Sequence, residues 1–445
     1  MATSQSPTIL VIVGITGDLS KRKLLPAIEQ LAASSALSKK TRVIGITRQP
    51  LSADDVLKGQ KSTTFLRGSL ELYQMDLTSQ NDYQALKAHV GDIAASLGID
   101  TQTLFYLSIP PQFSRPVVEL LGETGFANDP KTKLLLEKPF GTDLSSAREL
   151  ITETKRHFKE EQLYRIDHYL AKEMAQNIIV LRGSNALFRR TWNHDFIEKI
   201  EIVASEAIGI EGRAQFYEQT GALRDLVQSH LLQLAALVLM NIPAADSLDD
   251  VPALRAQALK NLRIDPKAPV IRGQYHGYQD EVTNPGSLTE TYVDVTFSSR
   301  EERWLGVPIR IITGKALKEK ATYIRIVYRK NEDHEANELI IALQPDAGAM
   351  LRIWTKVPGY DRRLEQHDLK ISLADHSETV PEAYEQVLLD AINANHELFA
   401  SSEEVLETWR IIQPLLDDWK MNSSLPALYE KATPAGDIAG DETSQ

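Results

Sequence analysis

Along the first part of the chain, short apolar runs alternate with longer segments whose apolar residues recur every three or four positions. Thr8 to Val13, Arg42 to Thr47, Leu70 to Met75, Leu104 to Ser108 and Leu134 to Glu137 are the short runs. Their length suits strands. Between them the longer pattern predicts helices, one reaching Leu31, one over Asp82 to Leu97 and one from Leu144 to Phe158. A parallel strand pair needs a long crossover, so this alternation predicts a doubly wound parallel sheet with helices on both faces.

After about Asp167 the pattern changes. Helical periodicity covers Leu170 to Arg182 and Leu223 to Met240. Extended runs then follow with no helix between them: Thr289 to Phe297, Val307 to Thr313, Thr322 to Tyr328, Glu338 to Leu343 and Met350 to Thr355. Such a series predicts a large, mainly antiparallel sheet. Helices return from Pro381 to Trp419, and the polar, Gly/Ala-rich stretch from Ala432 to Gln445 reads as a disordered tail. The expected fold class is therefore α/β plus α+β. Its divisions are a nucleotide-binding domain over 1–166, a second β+α domain over 167–431 and a tail over 432–445.

Composition narrows the function. The 445 residues suit about two or three domains. There is no cysteine, which rules out disulfides, thiolate nucleophiles and thiolate metal sites, and no metal site is expected. The longest apolar stretch, Leu231 to Ile242, is interrupted by Gln233 and Asn241 and falls short of the ~20 residues of a membrane span. Met1 to Pro7 lacks the basic and apolar regions of a secretory signal, so a cytoplasmic location and no membrane partner are expected. The net charge of −12 disfavours nucleic acid as a partner, though a local basic cluster can still hold a small phosphate.

The first strand runs into Gly14-Ile15-Thr16-Gly17-Asp18-Leu19-Ser20 and then a helix. Glycines there let a backbone approach a pyrophosphate at a helix N-terminus, although a tight turn without a ligand fits equally well. The second strand ends in Thr47-Arg48-Gln49, with no acid beside the arginine in sequence. In a Rossmann-type sheet that position faces the adenosine ribose, where a basic residue suits the 2′-phosphate of NADP. Lys21-Arg22-Lys23 opens the helix against its dipole, which suits either a nearby anion or a solvated face.

Three further motifs carry charge. Lys138 lies in Glu137-Lys138-Pro139-Phe140-Gly141, at a strand end where such sheets bind ligands. Arg165-Ile166-Asp167-His168-Tyr169 precedes Lys172; if helical, His168 and Lys172 share a face suited to phosphate. His230 sits in an apolar helix after Arg224-Asp225, as a hydrogen-bonded core residue or as a base.

In this order these motifs resemble the glucose-6-phosphate dehydrogenases. The likeness extends through Glu211-Gly212-Arg213, Arg272-Gly273-Gln274-Tyr275, Glu302-Arg303-Trp304 and Gly314-Lys315-Ala316-Leu317, and reaches Tyr429. It implies His230 as general base and Asp167 as the carboxylate that orients it. It implies a glucose 6-phosphate site of His168, Tyr169, Lys172, Glu206, Asp225, Lys315 and Lys320. Lys138 would stand between sugar and cofactor, followed by a cis Pro139. NADP would meet Gly14, Thr16, Gly17, Asp18, Leu19, Arg48, Gln49 and Lys138. Positions that are basic in relatives with a second, structural NADP resemble Ile312 and Ala321 here, with Arg325 retained, so only the catalytic NADP is expected. The resemblance also implies a homodimer or a dimer of dimers.

Overall fold

The computed structural model describes residues 6–243, 248–330, 335–372, 381–422 and 424–438. Strands β1 (Thr8–Val13), β2 (Arg42–Thr47), β3 (Leu70–Gln74), β4 (Gln102–Leu107), β5 (Thr132–Leu136) and β6 (Leu163–Ile166) come first, separated by helices such as Leu25–Ala33, Gln80–Leu97 and Leu144–His157. Next come β7 (Ile197–Ser205), β8 (Leu262–Ile264), β9 (Ile271–Tyr275), β10 (Tyr292–Ser299), β11 (Ile309–Gly314) and β12 (Ala321–Tyr328). The series ends with β13 (Glu338–Gln344), β14 (Gly348–Lys356), β15 (Leu364–Ser372), β16 (Phe399–Ala400) and β17 (Ala427–Tyr429).

The chain forms two units: residues 1–171 with 381–406, and residues 172–380 with 407–445. In the first, the sheet order is β16-β6-β5-β4-β1-β2-β3, parallel except for β16. This is the doubly wound dinucleotide-binding order. β1 is buried along its whole length and apolar from Ile9 to Val13, because both faces are covered. Its Leu10 and Ile12 join one core, whereas Ile9, Val11 and Val13 join the other.

The return of residues 381–406 to this unit corrects the expected contiguous division at 166/167. Val387, Leu388, Ala391 and Phe399 fill one face of the first sheet. Lys133 Nζ donates to the Ala391 and Ile392 carbonyls at 2.5 and 3.0 Å. A two-residue strand such as β16 has no periodicity, so only tertiary pairing defines it.

The second unit holds a ten-stranded sheet, ordered β15-β14-β13-β12-β7-β11-β10-β9-β17 with β8 on β10. It is mainly antiparallel, as expected, with parallel pairs at β7/β11 and β9/β17. Strands β7, β8, β9, β15 and β17 lie outside the extended runs that the sequence predicts. The tail also differs. Thr433 bridges Leu317, and Ile438, only 5% exposed, packs among Tyr292, Ile312 and Tyr429. Ile438, with Ala435 beside it, anchors a segment that is otherwise polar and Gly/Ala-rich. Residues 439–445 of the expected tail lie outside the described residues.

Candidate active site

In the first unit, β1 ends at Gly14, whose φ of +88° suits glycine. A Cβ there would stand 2.3 Å from the Ser108 carbonyl oxygen, so no larger residue fits this approach. The Ser20 hydroxyl donates to the Gly14 carbonyl at 3.0 Å and shares a hydrogen bond with the Ser108 hydroxyl at 2.9 Å, bracing the turn. Thr16, Gly17, Asp18 and Leu19 follow, and Ser20–Leu24 forms a π-helix. The basic cluster is partly spent locally: Arg22 pairs with Asp18 at 3.4 Å and Lys23 with Glu382 at 2.9 Å.

Arg48 follows β2 and lines a cleft of about 490 Å³ with Gln74, Met75, Asp76 and Asp82. The expectation of no acid beside Arg48 holds only along the chain; β3 and the turn after it bring two carboxylates. Both already have backbone work. Asp76 accepts from Thr78 N at 2.9 Å, and Asp82 from Asp76 N at 2.7 Å. The Thr78 contacts hold the Asp76 carboxyl below its usual range, with Arg48 adding to the effect. Arg48 itself makes no ion pair among the described residues. Gln49 N donates to Thr47 Oγ1 at 3.2 Å, fixing the bend after the strand.

Lys138 follows β5, and its bond to Pro139 is cis, as the resemblance implies. Beside it, the Tyr106 hydroxyl donates to Glu137 Oε1 at 2.5 Å. Burial pushes the Glu137 carboxyl up, against Tyr106, Lys138 and Tyr384. Asp167 is buried after β6, and its Oδ1 accepts from Tyr169 N at 2.9 Å. The rings of His168 and Tyr169 meet edge-on at 5.1 Å. The helix expected over Leu170 to Arg182 begins later, so His168 and Lys172 do not share a helical face. These residues lie in turns, and the helix starts at Glu173. Asp167 bonds forward to the chain at Tyr169, which favours a turn over a helical start. The division between units falls between Ala171 and Lys172.

In the second unit, Lys172 Nζ donates to Gln344 Oε1 at 2.6 Å. The end of β7 and the turn after β11 bring Glu206 and Lys315 into an ion pair. Lys315 Nζ also sits 5.4 Å from the centre of the Tyr217 ring. Burial pushes the Tyr217 hydroxyl well up, with the charges of Asp225 and Glu290 adding to it. Lys320, just before β12, is exposed.

Arg224, Asp225 and His230 lie on Leu223–Leu231, a nine-residue π-helix that continues as the α-helix Leu232–Leu239. An α-helix would set positions five apart about 140° apart around its axis. The i→i+5 bonding of a π-helix brings them onto one face, so Asp225 and His230 share a side. Both are buried, His230 at 1% exposure. Sequence periodicity predicts the helix but not this widening. Sequence reading also missed Tyr217 and Gln344 as partners of the two lysines; nothing in their spacing marks them. A separate cavity of about 910 Å³, lined by Arg182, Trp192 and Arg303 among others, contains none of the candidate residues.

A dinucleotide-type sheet with a glycine turn, joined to a unit bearing a buried histidine and paired basic and acidic residues, defines an oxidoreductase of the Rossmann class. Comparison with known proteins narrows this. Residues 11–177 match the family described as "Glucose-6-phosphate dehydrogenase, NAD binding domain", and residues 179–442 match "Glucose-6-phosphate dehydrogenase, C-terminal domain". The glucose-6-phosphate 1-dehydrogenase of Bacillus subtilis is 34% identical, covering 97% of this chain and 96% of that protein. That of Chlamydia muridarum is 34% identical over 93% of this chain and 90% of its own. A solved glucose-6-phosphate dehydrogenase in complex with its substrate glucose-6-phosphate is similar with a TM-score of 0.92 and 31% identity, covering 98% of this chain and 97% of that one. The Mycobacterium avium glucose-6-phosphate 1-dehydrogenase gives 0.84 and 32%, over 97% and 95% of the two chains. The chain belongs to the glucose-6-phosphate dehydrogenase family.

Proposed function

We propose that the chain oxidises C1 of glucose 6-phosphate to 6-phospho-glucono-1,5-lactone, with NADP as hydride acceptor. The similarity to the substrate-bound relative, over 98% of the chain, carries this reading. His230 takes the proton of the C1 hydroxyl, and Asp167 supports the imidazolium that forms. His168, Tyr169 and Lys172 hold the phosphate. Glu206 and Asp225 accept from sugar hydroxyls, with Lys315 and Lys320 as further substrate-side cations. Lys138 serves sugar and cofactor together. The closed approach at Gly14 suits a pyrophosphate, and Arg48, without an ion-pair partner among the described residues, suits a 2′-phosphate. Bound NADP supplies the nicotinamide carbon that receives the hydride, and the protein's part is to position and to move the proton.

One NADP per chain fits the second unit's composition. Ile312 is buried with Ile438, and Arg325 is engaged by Glu201 and Glu338. A homodimer or dimer of dimers follows from the resemblance, and a cytoplasmic location from the cysteine-free composition. Turnover on glucose 6-phosphate against glucose, with NADP and with NAD, tests the proposal. Equal efficiency on both sugars would remove the phosphate assignment. His230→Asn should lower kcat by about 10²–10⁴-fold and change KM little; near-normal turnover would place the base elsewhere.

A further inference from the structure

The helix that bears His230 begins at Leu223, two residues after Gly221, whose backbone is in the left-handed region at φ +66°. Its first N–H groups meet one residue. The Leu223 N–H donates to Glu290 Oε1 at 3.0 Å, and the Ala222 N–H donates to the Glu290 carbonyl at 3.0 Å. Glu290 is 3% exposed. Such a deeply buried carboxylate needs a reason to be there. Gly221 makes room for it, because a Cβ on Gly221 would stand 2.3 Å from Glu290 Oε1. An acid at this end also complements the helix dipole.

The opposite end is held with equal completeness. Arg182 donates to the Leu237 and Met240 carbonyls at 2.5 and 2.6 Å. Trp192 Nε1 donates to the Val238 carbonyl at 2.8 Å, and Trp304 Nε1 to the Leu239 carbonyl at 2.8 Å. A buried cation thus sits at the carbonyl end and a buried carboxylate at the amide end, each satisfying groups that a helix leaves open.

The neighbour of Glu290 ties in a second site residue. The Thr291 carbonyl accepts from the Lys315 N–H at 2.9 Å, and Thr291 N donates to the Gly273 carbonyl at 2.8 Å on β9. Two consecutive residues therefore connect the base-bearing helix, the backbone of Lys315 and the sheet. We propose that Glu290 is a positioning residue for the oxidation step: it sets the axial placement of the π-helix, and so of His230, relative to Lys315. This rests on the assignment of His230 as the base. Burial pushes the Glu290 carboxyl up, against the Leu223 N–H, Arg272 and Arg224, so its hydrogen bond and its charge need separate tests.

Glu290→Asp keeps the charge and withdraws the oxygen by about 1.5 Å. Glu290→Gln keeps the reach and removes the charge. Positioning through the bond to Leu223 predicts that Asp lowers kcat about 10²-fold, with KM for glucose 6-phosphate within twofold, because small misplacements of a reacting group act on the chemical step. The acid limb of the kcat–pH profile shifts with it. Gln restores most of the turnover. Wild-type kcat and limb in Glu290→Asp, or a fall in Gln as deep as in Asp, overturns the proposal. Should Asp not fold, Gly221→Ala pushes the same oxygen aside and must reproduce the kcat loss; unchanged kcat there overturns it equally. His230→Asn in the same assay separates the two layers. If it keeps turnover, the base assignment falls. If it is inactive while Glu290→Asp is normal, the positioning role alone falls.

Discussion

Glu160 offers a quantitative test of what holds the returning segment 381–406 in the first unit. Its carboxylate accepts from Arg165 Nη1 at 2.9 Å, Ser402 N at 2.8 Å and Ser402 Oγ at 2.6 Å. It thereby joins β6, which leads to Asp167, to the residues after β16. Burial raises its carboxyl, but Arg165 and the Ser402 donors outweigh this and bring it down to about 2, against an ordinary 4.5. Because the folded value is depressed, the stabilisation is complete above about pH 4.5 and is lost as pH falls towards 2. That difference corresponds to at most about 3 kcal/mol, at 1.36 kcal/mol per unit. The Glu160 side chain is 35% exposed, so solvent screening reduces the figure to about 2 kcal/mol. Glu160→Gln should therefore destabilise by about 2 kcal/mol at pH 7, with Arg165, 2% exposed, left without that partner. Urea unfolding followed by circular dichroism from pH 3 to 7 reads the effect. The gap between wild type and mutant should shrink to about half at pH 3, where the unfolded glutamate is largely protonated. A gap that stays constant with pH would refute the electrostatic account and leave only lost packing.

Two other predictions follow from the same kind of reasoning. Arg48→Ala should weaken NADP by at least about tenfold, as expected for a lost charge-assisted phosphate contact, while NAD changes little; parallel weakening of both, measured by titration calorimetry, would remove the 2′-phosphate role. Trp304→Phe leaves the buried Leu239 carbonyl without its donor and should destabilise by about 1–3 kcal/mol in urea unfolding, with no change expected if that carbonyl finds a new partner.

Much of the candidate site was legible because its chemistry is compressed into short motifs. Gly14 and Lys138 each follow a strand, and His230 lies in a helix, that hydrophobic periodicity alone predicts. The less legible parts share a physical cause. β7 carries a usable signal, with Ile200 and Ile202 separated by Glu201, but it lies between helices and is identified only by its pairing with β11 and β12. Glu290 and Arg182 look like surface charges in a sequence, since burial of a charge depends on which carbonyl or N–H the fold brings to it. Asp76 reaches the Arg48 cleft only through the parallel register of β2 and β3.

Sequence by itself determined the alternation of β1 to β5 with helices in the first unit, the glycine turn after β1, the basic residue after β2 and the change to extended runs beyond Thr289. These are local: they depend on side-chain period, on glycine's freedom at positive φ and on the length a strand can have. Tertiary structure alone decided the return of 381–406 to the first sheet, the packing of Ile438 and the π-helical widening that sets Asp225 and His230 on one face. Each of these depends on contacts between residues far apart in the chain, or on a backbone choice among conformations of similar energy. No window of sequence contains the partner that settles it.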